Sequence, residues 1–192
     1  RLASVDTSLP AAAAGIPGVI VPRKAVTELR KLIDESSNEV TIGLSETKIQ
    51  FSFDDAVLTS KLIDGTFPDY QRVIPKENDK ELNVDRQLFV DAVGRVSAIS
   101  SEKSRAVKLT LAKGTLMLSA SSPEHGSATE ELEVNYRGGD LEIGFNSGYL
   151  LDIARQIDGD SAQLTLADAA SPTIMRTVDD TSVLYVLMPM RV

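Results

Sequence analysis

The chain has 192 residues, of which 42% are hydrophobic and 25% charged, as in an ordinary globular protein of one or two domains. It contains no cysteine, so disulfides and thiolate metal sites are excluded and a reducing cytoplasm is the expected location. No apolar run approaches the roughly 18 residues of a membrane span. The formal net charge of −8 argues against binding nucleic acid by bulk charge, although not against enclosing it.

The opening residues, 1–17, are rich in Ala, Ser and Pro. We interpret them as the end of a strand followed by an exposed loop. They begin with Arg1-Leu2-Ala3, which is neither an initiator methionine nor a signal peptide. We therefore expect the chain to be part of a longer protein.

A first module of one strand, one helix and three more strands is predicted from Val19 onward. Val19–Val21 is followed by a helix over Pro22–Asp34, with Val26, Leu29 and Ile33 on one apolar face. Alternating apolar residues then predict three strands, namely Val40–Leu44, Ile49–Phe53 and Ala56–Leu62.

The same order of elements recurs twice. The middle module has a strand at Glu81–Val84, a helix capped by Asp85, and strands at Val107–Leu111, Thr115–Ser121 and Thr129–Tyr136. The last module has a strand from Leu141 to Phe145, a helix capped by Asn146 or Ser147 that runs to Ile157, and strands at Leu164–Leu166, Pro172–Val178 and Ser182–Met188. Repeats of this kind dictate architecture, so we predict an α+β fold of βαβββ modules with antiparallel sheets.

Three modules are an odd number for a paired repeat. We predict a complete two-module domain at residues 78–192 and the latter part of another at residues 1–77. The charged link Lys76–Lys80 lacks apolar periodicity, as a domain boundary should.

The sequence offers no catalytic constellation, and no metal or cofactor is expected. The one histidine, His125, lies in a Pro- and Gly-containing segment that predicts a solvated hairpin. The pairs Asp54-Asp55 and Asp179-Asp180 recur between strands, where turns favour Asp. Gly138-Gly139-Asp140 lacks the spacing of a phosphate loop, and Asp168 stands alone.

The last ten residues begin as a buried strand that Pro189 interrupts. Proline gives no N–H to a sheet, so this end should be an edge or should leave the sheet. The flanking Met188 and Met190 could fill the core, or could form an adaptable apolar surface that accepts a peptide. Phe67-Pro68 follows a strand in the same way.

Charge is unevenly distributed along the chain. The first helix carries four basic residues, which suits a face turned toward a polyanion. The glutamates of the hairpin after Ser122 form either a solvated face or a surface complementary to a basic partner.

Two long motifs resemble the bacterial sliding clamps, the beta subunits of DNA polymerase III. They are Leu58–Tyr70, with the sequence LTSKLIDGTFPDY, and Tyr185–Arg191, with the sequence YVLMPMR. Val19–Lys24, Ile143–Asn146 and the opening Arg1–Ala3 add to a similarity that spans the whole chain. The resemblance implies the DNA clamp fold, in which two three-domain subunits form a ring with helices on the inner face and sheets outside.

The resemblance also implies functional residues. A groove between the middle and C-terminal domains is expected to take Gln-Leu-x-Leu-Phe-like peptides of polymerases, the clamp loader and repair proteins. Its expected residues are Arg1, Leu2, Pro68, Arg72, Val73, Asn146, Tyr149, Pro172, Val186, Met188, Pro189, Met190, Arg191 and Val192. Duplex DNA is expected to face Arg23, Lys24, Arg30, Lys31, Arg95 and Arg155. The ring interface of the homodimer is expected at Ala98, Ile99, Glu124 and Glu130.

Two other functions stay open at this level. The chain could belong to a peptide-binding scaffold that never encircles DNA. It could also belong to an enzyme whose active residues lie outside this stretch.

Overall fold

The computed structural model describes residues 1–9, 13–33, 39–100, 105–178 and 180–192. The chain folds into two compact units. The larger unit comprises Arg1–Ser8 and Tyr70–Val192, and the smaller unit comprises Leu9–Asp69. The division of the chain into domains at residues 77 and 78 stays a prediction.

In the part of the smaller unit that the structure describes, there are one α-helix and one antiparallel sheet. The helix α1 spans Arg23–Ile33, and the three strands are β2 (Thr41–Leu44), β3 (Lys48–Phe53) and β4 (Ala56–Lys61), in the order β2-β3-β4. Alternate residues of β3 (Ile49, Phe51 and Phe53) are buried beneath α1 residues that include Leu29 and Ile33. Period-2 alternation thus places one face of the sheet on the helix.

Two expectations for this unit are wrong. Val19–Val21 forms no strand, although the Ile20 carbonyl accepts a hydrogen bond from the Ile63 N–H at 2.9 Å. Val26 is 50% exposed, and Ala25 takes the buried position instead. The buried face of α1 is therefore shifted by one residue from the predicted apolar face. The packing of the helix on the sheet, rather than the spacing of apolar residues, determines which edge of that face is covered. The predicted helix end at Asp34 lies outside the described residues.

The described residues of the larger unit form two sheets and two α-helices. The six-stranded sheet has the order β1-β13-β12-β11-β5-β9 and the four-stranded sheet has the order β10-β6-β7-β8. All neighbouring strands are antiparallel. The strands of the first half are β1 (Leu2–Val5), β5 (Lys80–Asp85), β6 (Ala106–Ala112), β7 (Thr115–Ser122) and β8 (Gly126–Glu133). The remaining strands are β9 (Asn135–Arg137), β10 (Leu141–Asn146), β11 (Ser161–Leu166), β12 (Thr173–Thr177) and β13 (Val183–Leu187).

The two modules of the larger unit exchange their first strands. β5 begins the middle module but pairs with β11 of the last module, and β10 begins the last module but pairs with β6 of the middle module. The helices α2 (Arg86–Ser97) and α3 (Ser147–Ala154) follow these exchanged strands and pack against each other. One continuous core results, with Phe89, Phe145 and Leu164 fully buried in it.

Helix starts in this unit follow the predicted caps. The Asp85 carboxylate accepts the Leu88 N–H at 2.8 Å, and the Asn146 side-chain oxygen accepts the Tyr149 N–H at 3.2 Å. α3 ends at Ala154 rather than at Ile157, with Arg155 as its C-cap, although Ile157 is still buried. Apolar spacing marked the buried face correctly but overran the helix end.

The prediction of a single strand over Thr129–Tyr136 is wrong, because these residues belong to two strands in different sheets. β8 pairs with β7, whereas β9 pairs with Glu81–Asn83 of β5. The Val134 N–H donates to the Gly114 carbonyl at 3.0 Å where the chain crosses over. Alternation continues through the crossover, so the pattern alone cannot show that the hydrogen-bonding partner changes.

Candidate functional site

The chain leaves the six-stranded sheet after Leu187, as the proline predicted. Pro189 carries the backbone across to the free edge of β10, where the Met190 N–H donates to the Gly144 carbonyl at 2.9 Å. The segment Met188–Val192 therefore joins the two sheets. We call this segment the C-terminal strap.

Gly144 allows the strap to approach β10. A Cβ atom at Gly144 would collide with Val192 Cγ1 and would lie 2.6 Å from the Met190 carbonyl oxygen. Any other residue would push the strap away. Sequence reasoning did not assign this glycine a role, although an isolated glycine inside a strand pattern is a signal of close backbone approach.

The strap presents apolar side chains at the surface. Met188 is 53% exposed and Val192 is 62% exposed. Val186, two residues before Met188, is only 1% exposed, and it lies opposite both Leu2 of β1 and Ile174 of β12. The exposed residues of the strap thus follow a strand that is hydrogen-bonded on both sides, and the side chain of Val186 in that strand is buried.

Arg1 lies against the exposed face of α3. Its guanidinium carbon is 4.4 Å from the centre of the Tyr149 ring, and Arg1 Nη1 forms an ion pair with Asp152 Oδ2. Tyr149 is 42% exposed, and its N–H is held by the Asn146 cap. The larger unit thus places two predicted groove residues, Arg1 and Tyr149, in contact. Asp152 was not predicted as part of the site.

Two further residues predicted to line the groove, Arg72 and Val73, lie where the chain re-enters the larger unit at Tyr70. Tyr70–Val73 forms a turn of 3₁₀ helix with Arg72 and Val73 exposed. Further on, the Asn78 side-chain amide donates to the Thr165 carbonyl at 2.7 Å and to the Pro172 carbonyl at 3.0 Å. Asn78, just before β5, is therefore bound both to β11 and to the loop between β11 and β12, which carries Pro172.

Pro68 belongs to the smaller unit. That Pro68 shares a cleft with Pro189 stays a prediction, as does the composition of the groove as a whole.

The cations predicted to face DNA differ in their partners. Lys31 pairs with Glu28 on α1 at 3.1 Å, and Arg95 on α2 makes a bidentate pair with Glu130 of β8 at 2.5 and 3.0 Å. The hydrogen bonds from Arg95 hold the pKa of Glu130 below its usual value, and Glu130 raises the pKa of Arg95. Arg23, Lys24, Arg30 and Arg155 are exposed.

The residues predicted at the ring interface lie at the end of α2, on β8 and in the turn that precedes β8. Ala98 is the exposed C-cap of α2, and Ile99 packs partly against the core. β8 is an edge strand of the four-stranded sheet, and Glu124 lies in the exposed turn before it. Glu130 is bound by Arg95 within the larger unit.

The residues considered as candidates for catalysis have local structural roles. His125 is exposed in a turn, and Asp54 lies in a hairpin turn with φ 46°. Hydrogen bonds from the Ala170 N–H and from Ser171 lower the pKa of Asp168, which was expected to stand alone. Hydrogen bonding by Ser182 likewise lowers the pKa of Asp180. Asp179 lies outside the described residues.

Metal sites and membrane spans are both lacking among the described residues. These residues contain no group of three or more His, Cys, Asp or Glu side chains placed to hold a metal ion. None of the described helices combines the length and the apolar character needed to cross a membrane.

The α+β fold, with its modules and antiparallel sheets, is that of the DNA clamps. The crystal structure of a sliding clamp (DNA polymerase III subunit beta) from Bartonella birtlesii bound to griselimycin superposes with a TM-score of 0.96. It is 54% identical, and the match covers 99% of this chain and 51% of that one. Family models for the DNA polymerase III beta subunit match residues 1–69 (central domain) and residues 71–191 (C-terminal domain). The chain belongs to the DNA polymerase III beta subunit family.

Curated relatives give the same result. The chain is 50% identical over 192 residues to the beta sliding clamp of Caulobacter vibrioides, covering 100% of this chain and 52% of that protein. It is 39% identical over 173 residues to the beta sliding clamp of Escherichia coli K12, covering 90% of this chain and 47% of that protein. The chain thus spans about half the length of the curated relatives it matches.

Proposed function

We propose that this chain is the part of a sliding clamp that captures partner proteins. In the full-length protein, two subunits form a ring that encircles duplex DNA and tethers the replicative polymerase, and the protein does no chemistry of its own. A cytoplasmic location belongs to the same proposal, because bacterial DNA replication takes place there.

The observation that carries this proposal is the C-terminal strap. It leaves exposed methionine and valine side chains on a backbone that two sheets hold in place. Flexible thioether side chains on a rigid support suit an apolar peptide anchor, and neighbouring arginines suit the polar rim of such a site. We assign Gln-Leu-x-Leu-Phe-like peptides of the polymerase, clamp loader and repair proteins to this surface.

Electrostatics agree with a ring that slides. The chain carries a formal net charge of −8, whereas α1 exposes Arg23, Lys24 and Arg30. A few weak phosphate contacts retain DNA without fixing the register, because each further contact strengthens binding and its dependence on salt. Arg95, held by Glu130, is expected to contribute less than the cations of α1.

The peptide site is tested by replacing Met188 and Met190 with alanine together. The variant should bind a Gln-Leu-x-Leu-Phe peptide more weakly by about 2 kcal/mol or more, as truncation of interface anchors does. Isothermal titration with the full-length protein measures this. Val178→Ala, which also shortens an exposed apolar side chain, is the matched control and should bind normally. Unchanged affinity in the double variant would remove the site.

Ring function is tested separately. Full-length protein should load onto nicked circular DNA in the presence of its clamp loader and should run off once the DNA is linearised. A peptide-binding scaffold would bind the peptide yet fail to remain on the circle. Retention on linear DNA with free ends would equally contradict encirclement.

A further inference from the structure

Asp152 contacts Arg1, which is predicted to line the peptide groove, although Asp152 itself was not predicted there. It lies three residues after Tyr149 on α3, so the two side chains share one face of the helix. Arg1 contacts both side chains. Its guanidinium covers the Tyr149 ring, and its Nη1 pairs with the Asp152 carboxylate. The three residues form one cluster in the larger unit.

The chemistry of the cluster determines what Arg1 can offer a ligand. A guanidinium has five N–H donors in a plane, and the Asp152 carboxylate takes part of this fork. Stacking on the Tyr149 ring holds the plane in a defined orientation. The remaining donors can still bind an acceptor, but Asp152 compensates the positive charge.

Stability does not explain the ion pair. The Arg1 and Asp152 side chains are 44% and 59% exposed, and exposed pairs of this kind contribute little to folding. An orienting and charge-setting role at a binding surface fits the geometry better, because specificity depends on differences between ligands rather than on total affinity.

We infer that Asp152 is a positioning residue that fixes Arg1 over Tyr149. It makes this end of the groove prefer a neutral amide acceptor over a carboxylate in the partner peptide. The inference rests on the proposed peptide-binding function. It assigns the preference to the contacts among Arg1, Tyr149 and Asp152.

The test compares two peptides, Gln-Leu-x-Leu-Phe and Glu-Leu-x-Leu-Phe, on the full-length protein by isothermal titration. Asp152→Asn should raise the affinity for the Glu peptide relative to the Gln peptide by about two- to fivefold, the range that exposed ion pairs support. In an Arg1→Gln background, Asp152→Asn should leave the ratio unchanged, because its effect passes through Arg1. Asp158→Asn, an exposed carboxylate just beyond α3, is the matched control and should also leave the ratio unchanged.

Three results would overturn the inference. Asp152→Asn could weaken the binding of both peptides equally, or could leave the ratio of the two affinities unchanged. It could also shift that ratio equally in the presence and in the absence of Arg1. Wild-type protein that binds neither peptide would instead remove the proposed function itself. If the wild-type protein binds the peptides but Asp152→Asn leaves the ratio of their affinities unchanged, only the role of Asp152 is removed.

Discussion

The two units use the same helix-and-strand module but differ in how well they bury it. In the smaller unit the buried sheet residues all come from the middle strand, β3, while Ile42 of β2 and Val57 of β4 are 58% and 64% exposed. In the larger unit the exchange of β5 and β10 closes a shared core in which side chains on both sheets and both helices are fully buried. In this stretch of chain, which spans about half the length of its curated relatives, one helix covers about one strand of the smaller unit, whereas two modules together close the core of the larger unit.

The largest expected effect concerns the cores themselves. Phe145→Ala in β10 should lower the free energy of unfolding of the larger unit by about 3–5 kcal/mol, because it leaves a cavity in a closed core. The equivalent truncation Phe51→Ala should cost the smaller unit less, since its partly exposed surroundings can collapse. Denaturant titration followed by hydrogen exchange of peptides from each unit measures both. Equal losses would contradict the comparison.

A smaller effect is expected at the edge of β10. Gly144→Ala should lower the free energy of unfolding by about 1–3 kcal/mol and reduce protection of the Met190 amide, because its Cβ would collide with the strap. Gly43→Ala on β2 of the smaller unit is the control, since a Cβ there meets nothing within 4 Å. Hydrogen exchange distinguishes the two. Full protection of the Met190 amide in the Gly144 variant would contradict the prediction, because it would show that the added Cβ does not displace the strap.

Helix starts offer a further comparison. Asp85→Ala should destabilise the larger unit by about 1 kcal/mol, because the Leu88 N–H loses its side-chain partner. Asp85→Asn keeps an acceptor and should recover most of the loss. In the smaller unit α1 begins at Arg23, and the Val26 N–H donates to the Pro22 carbonyl at 3.3 Å, so the cap position is held by a proline, which has no side-chain acceptor. Thermal unfolding of the two Asp85 variants is the measurement, and equal loss in both would exclude the cap.

The smallest expected effect is a dependence on pH specific to the larger unit. The pKa of Glu130 is lowered in the folded state by its hydrogen bonds with Arg95, so the pair stabilises the fold above the unfolded pKa, near 4.5. That contribution is lost as the pH falls through the lower, folded pKa. Arg95→Gln should therefore flatten this part of the stability profile, at pH values below about 4.5. A profile with the same slope as wild type would show that the pair is not coupled to folding.

Much of the site's local structure was predictable from residues. Asp85 and Asn146 were predicted helix caps, and Pro189 was predicted to break the last strand, because proline and short polar side chains act on their nearest backbone neighbours. Asp152 was not predictable in this way. Its partner Arg1 is distant in sequence, and a single exposed Asp on a helix is usually only a solvated residue.

The repeat, the alternation of its strands and the turn residues were determined by the sequence itself, since these depend on interactions within a few residues. Only the tertiary structure decided that β5 and β10 change sheets, that Thr129–Tyr136 divides between β8 and β9, and that Met190 meets Gly144. The physical reason is that any strand of suitable alternation can satisfy any free edge. The choice among edges depends on which side chains fill the space between the sheets.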